Sequence, residues 1–482
     1  MQPISHRHAG RVTVLLLGLA ALSATALPDA HAAPGTTERV SVASDGTQAN
    51  NISGRRGAPA ASADGQVVVF DSLASNLVPG DTNAFDDIFV RDRASGTTQR
   101  VSVSSTAAQG DNISSSPAVS GDGRVVAFVS NATNLVPGDS NGVRDIFVHD
   151  RATGTTQRVS VSSRGAQGNG ASGGSGATND VATIAPAISA DGRFVAFESL
   201  ASNLVRRDTN GTRDVFVHDR QTGTTERVSV ASNGAQANSF SNPEAISADG
   251  RFVVFSSFAS NLVNQDTDQQ VDVFVRDRQA GTTQRVSLSS QDLQADGSST
   301  RTDISDDGRF VVFAWAATNL VAGDANGTDD VFVRDLQAGT TQRVSVSSSG
   351  AEGDGRSPSN GVRGGIRFGP AISGDGRLVV FDSQATNLVP GDTNTCGDFF
   401  PSAGTCPDVF LRDLATGSTD RVSIDSSGAQ ADGASTDPDI SADGTTVVFF
   451  SAASNLVAGD TNGCTLPAVN FPNCPDIFAH TG

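Results

Sequence analysis

One short phrase, S-x-D-G, recurs seven times along this chain and restricts its fold more than any other feature. Its aspartates stand at positions 64, 122, 191, 249, 307, 375 and 443, at intervals of 58, 69, 58, 58, 68 and 68 residues. The basic unit therefore has 58 residues, and some copies carry insertions of about ten. A fixed period of this length is typical of repeat architectures, in which each unit buries its apolar face against the next.

Two further phrases recur in phase with the first. D-(I/V)-F begins at Asp87, Asp145, Asp214, Asp272, Asp330, Asp408 and Asp476. T-T-(E/Q)-R-V-S begins at Thr36, Thr97, Thr155, Thr224, Thr282 and Thr340, with a seventh version at Ser418. In the fourth unit we predict strands over residues 243–247, 252–255, 272–276 and 282–288, separated by turn residues. Four antiparallel strands per unit are typical of one β-propeller blade.

The order of the phrases predicts how the ring closes. The T-T-(E/Q)-R-V-S phrase occurs once before the first S-x-D-G and never after the last D-I-F. The seventh unit thus has only three strands of its own, and we expect residues 36–43 to supply its outer strand, which leaves no free edge. The sequence predicts an all-β fold, a single seven-bladed β-propeller over residues 33–482 with four antiparallel strands per blade and the last blade closed by the N-terminal strand.

The repeat resembles a known family. Ala-Ile-Ser-Ala-Asp-Gly-Arg-Phe-Val at 245–253 and Asp-Val-Phe-Val-Arg-Asp at 272–277 are similar to TolB-type, WD-repeat-like propeller blades. The resemblance covers essentially the whole chain after residue 32 and implies the fold. TolB itself resembles a six-bladed ring with an additional α/β domain, and peptidase relatives carry a hydrolase domain. Neither is expected here, so the partners and activities of those relatives are not transferred.

The first 32 residues are predicted to be a signal peptide. Arg7 and Arg11 precede an apolar run over residues 12–26, and Ala30-His31-Ala32 is typical of a cleavage site. The run is short for a membrane span, and no second stretch of spanning length follows. We expect a secreted protein, extracellular or periplasmic, without membrane insertion.

The four cysteines agree with export. Cys396 and Cys406 share the frame D-T-N-x-C-(9 residues)-C-P-D with Cys464 and Cys474. The duplicated frame predicts the disulfides Cys396–Cys406 and Cys464–Cys474. The alternative is a zinc site built from all four, although neither pair has the usual C-x(2–4)-C spacing.

Composition excludes several classes of protein. The chain contains no Lys and five Glu, and Asp and Gly, which favour turns, are abundant. This argues against a helical, coiled-coil or membrane-embedded protein. The net charge of -19 argues against nucleic acid and anionic membranes as partners and is compatible with cations. We expect a monomer.

The loops between the second and third strands read N-L-V-x-x-D-x-N-G-x-x-D and suggest calcium. Ca²⁺ takes six to eight oxygen ligands. The candidate ligands are Asp81, Asn83 and Asp87; Asp139, Asn141 and Asp145; Asp208, Asn210 and Asp214; and Asp324, Asn326 and Asp330. The alternative is turn chemistry, because Asp and Asn accept hydrogen bonds from their own backbone in turns.

Insertions and aromatic residues make the same face a candidate for recognition. The insertions span residues 168–181 and 356–368 and the two cysteine loops. Phe368, Phe399, Phe400 and Phe471 lie in or beside them, and Trp315 replaces a serine near the end of a second strand. Exposed aromatics on rigid loops are common anchors for proteins or sugars, whereas the alternative is packing over the blade ends.

No catalytic set stands out. His149, His218 and His480 fill a slot that holds Arg in other blades, and we expect variable surface positions there. The hypothesis is a secreted binding or scaffold propeller that recognises a protein or glycan through the face bearing the insertions, with calcium as a stabilising ion. The alternative is a secreted carbohydrate-active enzyme, a polysaccharide lyase or hydrolase, which would need unrepeated acidic residues, Arg or His near the axis.

Overall fold

Seven sheets of four antiparallel strands follow one another along the chain in the computed structural model. It describes residues 35–174, 184–264, 266, 269–358, 369–395, 405–462, 464–466, 469–471 and 474–482, without the side chains of 299–301, 315, 464–466 and 469–471. Every regular element within these ranges is a β-strand. Residues 34–482 form one compact unit.

The strands of the first four blades have the following bounds. Blade one contains β2 (Ala60–Ala61), β3 (Val67–Ser72), β4 (Asp87–Asp92) and β5 (Thr97–Arg100). Blade two contains β6 (Ser114–Val119), β7 (Val125–Ser130), β8 (Asp145–Asp150) and β9 (Thr155–Arg158). Blade three contains β10 (Ala187–Ile188), β11 (Phe194–Ser199), β12 (Asp214–Asp219) and β13 (Thr224–Arg227). Blade four contains β14 (Ser241–Ile246), β15 (Phe252–Ser257), β16 (Asp272–Asp277) and β17 (Thr282–Arg285).

The remaining blades follow the same order. Blade five contains β18 (Ser299–Ile304), β19 (Phe310–Trp315), β20 (Asp330–Asp335) and β21 (Thr340–Arg343). Blade six contains β22 (Ala371–Ile372), β23 (Leu378–Ser383), β24 (Asp408–Asp413) and β25 (Thr419–Arg421). Blade seven contains β26 (Ser435–Ile440), β27 (Thr446–Ser451) and β30 (Asp476–Thr481), with a hairpin of β28 (Cys464–Leu466) and β29 (Val469–Phe471) before the last.

The ring closes as the order of the phrases predicted. The N-terminal strand β1 (Thr36–Arg39) pairs antiparallel with β30, and Thr36 lies opposite Thr481. This strand is the fourth of blade seven, because the sheet order is β1-β30-β27-β26. The prediction of a seven-bladed propeller closed by its N-terminal strand is confirmed.

Apolar side chains of the second and third strands form a core between every pair of neighbouring blades. One such core joins Val448 and Phe450 of blade seven to Val68 and Phe70 of blade one, so the seam is packed like the other six junctions. Within each blade a phenylalanine of the second strand stacks on one of the third, as Phe70 does on Phe89 at 6.0 Å between ring centroids. These pairs account for the phenylalanine of the D-(I/V)-F phrase and for the one that recurs in each second strand.

The S-x-D-G phrase is a hydrogen-bonded turn. The Ser62 hydroxyl donates to Asp64 Oδ1 at 2.7 Å and accepts the Val67 N–H at 2.9 Å. Gly65 adopts φ 65°, a left-handed conformation that glycine adopts without strain. The phrase therefore joins the first two strands of each blade.

The first strands surround the axis, and the turns that follow them are joined into a ring. Each first strand contacts the first strands of the two neighbouring blades. One backbone N–H per blade donates to the next turn at 2.9–3.2 Å. The ring runs through Ala63, Gly121, Ala190, Ala248, Asp306, Gly374 and Ala442, and the Asp443 N–H returns to Ala63. Backbone contacts between small residues thus tie this end of the channel.

Two details differ from expectation. The fourth strand of blade four ends at Arg285 rather than at residue 288, because the chain turns towards the next blade and Leu288 forms an isolated bridge with Gln294. The three histidines are not surface positions: His149, His218 and His480 are 2%, 7% and 9% exposed. Each ring is hydrogen-bonded to a fourth-strand threonine, and burial lowers the pKa of each. Their slot lies between strands, which periodicity alone does not reveal.

Candidate functional site on the loop face

The loop face is the side of the ring that carries the loops between second and third strands and the connections between blades. The predicted calcium ligands of blade one come together there with two nitrogen donors. Gln109 Nε2 donates to Asp81 Oδ1 at 2.8 Å and to Asp87 Oδ2 at 3.3 Å. Arg100 Nη1 lies 3.3 Å from Asp81 Oδ1 and 3.5 Å from Asp87 Oδ2. We call this arrangement of two aspartates, arginine and glutamine the clasp.

The asparagine of the phrase also presents nitrogen to the clasp. Asn83 Nδ2 donates to Asp87 Oδ2 at 3.1 Å, while its Oδ1 accepts the Phe85 N–H at 3.0 Å. The Ser102 hydroxyl donates to Asp87 Oδ1 at 2.5 Å. Both oxygens of the inner aspartate therefore receive N–H or O–H donors from the protein itself.

The two aspartates and the arginine of the clasp recur in all seven blades. The pairs are Asp139 and Asp145 with Arg158, Asp208 and Asp214 with Arg227, Asp266 and Asp272 with Arg285, Asp324 and Asp330 with Arg343, Asp392 and Asp408 with Arg421, and Asp460 and Asp476 with Arg39. Asn141, Asn210 and Asn326 donate to the inner aspartate as Asn83 does. Burial raises the pKa of Asp330, Asp408 and Asp476 to about 6.

Blade five departs from the pattern in a way that bears on calcium. Glu352 stands where the other clasps have glutamine, so three carboxylates surround Arg343. The ligand atoms of Asp324, Asp330 and Glu352 lie within 4.8 Å of one another. Of the seven clasps, this one has the largest number of carboxylates to offer a cation. The arginine that each clasp contains opposes cation binding, because its guanidinium already neutralises part of the negative charge. Calcium binding stays a prediction.

Most of the other predicted site residues lack a described position or a described side chain. Phe368, Phe399, Phe400 and Cys396 lie outside the described residues, and the side chains of Trp315, Phe471 and Cys464 are not described. Cys406 and Cys474 are each 1% exposed, and neither is a free thiol. The predicted disulfide pairing stays a prediction.

Two carboxylates line the channel at its axis. Asp303 and Asp439 stand where the first strands of the other five blades have alanine. Asp303 accepts the N–H of Ile304 at 2.8 Å and that of Ile372, in the next blade, at 2.9 Å. The N–H groups of the following residues, Ser305 and Ser373, donate to the second strands. Because successive N–H groups of a strand alternate in direction, those of Ile304 and Ile372 point to the axis.

Asp439 occupies the equivalent place at the closure of the ring. Its Oδ2 accepts the Ala61 N–H of blade one at 2.9 Å. Enclosure by the channel wall raises the pKa of Asp303 to about 6 and that of Asp439 to about 7, and the charge of Asp303 adds to the second shift. Two electrostatically coupled carboxyl groups therefore face the channel, and both titrate near neutral pH.

A second set of acidic residues marks the blades whose first strand is shortened. The first strands of blades one, three and six have 2 residues, and those of the other blades have 6. Only the shortened blades carry an acid before the last serine of the second strand: Asp71, Glu198 and Asp382. The additional residues before these first strands have backbone N–H groups that need hydrogen-bond acceptors, and the acids act as acceptors. Arg56 N–H donates to Asp71 at 2.9 Å, and Gly174 N–H donates to Glu198 at 2.7 Å.

Glu198 belongs to a charged and aromatic cluster. Its side chain is fully buried, and burial raises its pKa to about 7 against the opposing effects of the Gly174 N–H and Arg213. Arg213 Nε lies 3.8 Å from Glu198 Oε1, and the guanidinium stands 5.2 Å from the centroid of Phe240. Phe240 stacks on Phe258 at 5.8 Å. A buried acid, a half-buried arginine and an aromatic pair thus meet at the loop face.

The recurrent phrases do not point to the axis carboxylates or to this cluster. A recurrent residue is fixed by the shared architecture of the blade. The usable signal was departure from the repeat, such as Asp at 303 and 439 in a column of alanine. The repeat therefore predicts the aspartates and asparagines of the clasp but not its arginine, while exceptions to the repeat mark the carboxylates at the axis.

Comparison with known proteins supports the fold. No family model matches the chain, and no curated protein sequence matches it. An oligogalacturonate lyase in complex with manganese aligns at 13% identity with a TM-score of 0.52, over 93% of this chain and 96% of that one. The oligogalacturonate lyase from Vibrio parahaemolyticus aligns at 12% identity with a TM-score of 0.50, over 93% and 98%.

TolB structures are also among the matches. TolB from Acinetobacter baumannii is 16% identical with a TM-score of 0.37, over 69% of this chain. The chain spans 58% of the length of that protein. The predicted resemblance to TolB-type propeller blades is confirmed for the fold alone, because identities this low carry no activity or partner. Among the described residues, no helix is long and apolar enough to cross a membrane.

Proposed function

We propose that this chain is a secreted binding propeller whose loop face recognises a protein or glycan. The observation that supports it is the contrast between the two ends of the channel. The far end is tied by a ring of backbone hydrogen bonds between mostly Ala and Gly turns. The loop face carries the residues that differ between blades, including Arg56, Glu198 and Arg213. Of the exposed large apolar residues described, Phe85, Leu200 and Phe258 lie on this face.

The opposite face is less suited to binding an acidic ligand because several of its arginines are already paired. Arg124, Arg251 and Arg309 each form close ion pairs with an aspartate of their own blade, at 2.6–2.8 Å. Ligand recognition by rigid loops is common where a scaffold holds unpaired or apolar groups at its surface.

The test is a binding screen of residues 33–482 against immobilised glycans and peptides. One variant set alters the loop face, with Phe85→Ser and Phe258→Ser, and a matched set alters the opposite face, with Arg251→Ser and Arg309→Ser. We expect a ligand whose binding is lost in the first set and retained in the second. Binding that survives the first set and fails in the second would contradict the proposal.

The alternative is a carbohydrate-active enzyme, and the axis carboxylates favour keeping it. The enzyme hypothesis required unrepeated acidic residues near the axis, and Asp303 and Asp439 meet that requirement. A carboxyl with a pKa near the working pH suits general acid–base catalysis. Incubation with polyuronates, followed by ultraviolet detection of an unsaturated product, tests a lyase, and Asp303→Asn and Asp439→Asn test the assignment. Turnover that persists in both variants would exclude these residues as catalytic.

Calcium is proposed as a stabilising ion, with the clasp of blade five as its site. Thermal unfolding in EDTA and then in added Ca²⁺ is the measurement, because a ligand that binds only the folded state raises the melting temperature. The matched control is Glu352→Gln, which restores the residue of the other clasps. A rise that is equal in the control would place the ion elsewhere, and no rise would leave the clasps as protein-only contacts.

A further inference from the structure

Two arginines of blade three have side chains without any partner in the described parts of the chain. Arg206 and Arg207 lie in the loop between β11 and β12, and both are exposed. Among the arginines whose side chains are described, only Arg164 shares this lack of an ion pair or side-chain hydrogen bond. The corresponding positions in blade one are Pro79 and Gly80, so the cations are specific to this blade.

Arg207 also occupies a backbone conformation that suits glycine. Its φ is 60°, and the equivalent Gly80, Gly138, Gly323, Gly391 and Gly459 have φ between 75° and 78°. A non-glycine residue in the left-handed region is strained, and such strain concentrates at functional sites. An arginine retained where five other blades have glycine points to a use for its charge.

An aromatic surface adjoins this loop. Phe258 and Leu200 are each 40% exposed. Phe258 stacks on Phe240 at 5.8 Å, and Phe240 in turn lies against Arg213, which ends the same loop. In blade one the corresponding apolar pair, Ile52 and Leu73, is packed against Cys474, whereas the phenylalanines keep an exposed ring.

Hydrogen bonds hold the loops of this region together. The Thr209 N–H donates to Gln236 Oε1 at 3.3 Å, and Asn210 Nδ2 donates to the Ala237 carbonyl at 3.0 Å. The Asn238 side chain then donates to the Ser260 hydroxyl at 3.0 Å. Residues 200–213, 236–240 and 258–261 therefore form one surface. We define the third-blade patch as Leu200, Arg206, Arg207, Arg213, Phe240 and Phe258.

We propose that the third-blade patch binds a linear acidic glycan, a chain of uronate sugars. A guanidinium presents a planar fork that matches a carboxylate, and an exposed phenylalanine ring packs against the apolar face of a sugar ring. The proposal rests on the proposed function, since it names a ligand class for the loop face.

Charge and surface chemistry favour a glycan over an acidic protein. The chain carries a net charge of -19, so a large acidic partner would also meet the aspartate-rich loops of neighbouring blades. A single glycan strand contacts a narrow strip only. Beside the aromatic pair, the exposed Ser260 hydroxyl accepts a hydrogen bond from Asn238 Nδ2 and can still donate to a sugar oxygen.

The experiment is calorimetric titration of residues 33–482 with oligomannuronate, with β-mannan oligosaccharides of equal length that lack the carboxylates, and with poly-glutamate. We expect binding of the uronate alone, weakened by salt. Arg206→Ser with Arg207→Gly and, separately, Phe258→Ser should each weaken binding roughly tenfold or more. Arg164→Ser is the matched control, because it removes an unpaired arginine outside the patch. A melting temperature no lower than that of the parent shows that the variants are folded.

Each other outcome overturns the proposal. Equal binding of poly-glutamate would show that the patch recognises an acidic peptide chain rather than a sugar. Equal binding of β-mannan, or no binding of the uronate, would remove the role of the arginines. Uronate binding that is insensitive to the patch but lost on Phe85→Ser would refute this site while leaving the proposed function of the loop face intact.

Discussion

The rim and the axis of this propeller differ in what the blades share. At the rim, every blade repeats the same clasp of two aspartates around an arginine. At the axis, two blades carry Asp303 and Asp439 where five carry alanine, and the three shortened blades carry an additional buried acid near the end of the second strand. Recurrence at the rim indicates a contact that every blade needs to hold its outer strand. Variation at the axis indicates residues that the blade fold does not require and that are therefore candidates for a functional role.

The largest expected effect comes from breaking the clasp at the seam. Arg39→Ala leaves Asp460 and Asp476 buried without the guanidinium that lies 3.1 and 3.3 Å from them. Breaking a buried ion pair typically destabilises by about 3–5 kcal/mol. We expect a loss of that order, measured by denaturant unfolding, because Arg39 also ends the four-residue strand that closes the ring.

Two variants sharpen this first result. Arg164→Ala, an arginine without a side-chain partner, should leave the free energy of unfolding almost unchanged. Arg158→Ala breaks an interior clasp whose outer strand is held by chain connectivity on both sides. A loss at the seam no larger than that of Arg164→Ala would mean that the clasp does not stabilise the rim.

The second prediction concerns the axis and pH. Asp303 and Asp439 have pKa values of about 6 and about 7, above the value of about 3.9 for an unfolded chain. The folded state thus binds protons more tightly, and stability falls as pH rises from about 4 to about 7. The double variant Asp303→Ala with Asp439→Ala restores the residue of the other blades. It should be more stable than the parent at pH 8 and lose this advantage near pH 4.

The difference between parent and double variant is the quantity to measure, because the clasp aspartates titrate in the same range. Asp330, Asp408 and Asp476 are present in both proteins and cancel in the difference. A difference that does not change between pH 4 and pH 8 would show that the axis carboxylates titrate normally.

The same contrast explains which parts of the structure could be predicted from sequence. Strand positions and ring closure follow from the spacing of repeated phrases, because every copy reports the same local structure. The partner of Asp87 did not follow, since Arg100 reaches it from a strand whose register only the folded sheet defines. The axis contacts did not follow either, because the Asp303 hydrogen bond to Ile372 joins two blades through strand edges.

The third prediction tests the acids of the shortened blades. Glu198→Ala removes the acceptor of the Gly174 N–H and should lower stability by about 1.5 kcal/mol. Hydrogen exchange at the Gly174 amide should accelerate. Glu198→Gln keeps an acceptor oxygen in the same place, and we expect it to preserve protection. Equal exchange in parent and Glu198→Ala would show that the acid does not anchor this segment.

The smallest expected effect comes from the strained arginine, and it separates stability from binding. Arg207→Gly relieves a left-handed residue at φ 60° and should raise the free energy of unfolding by about 1 kcal/mol. The reverse change, Gly80→Arg in blade one, imposes the same strain and should lower it by a similar amount. Unfolding midpoints of both variants at one pH provide the measurement. If Arg207→Gly destabilises the protein, the arginine contributes to folding and its position needs no ligand to explain it. If the variant is more stable but no longer binds uronate, blade three gives up stability for a charge that the fold does not require.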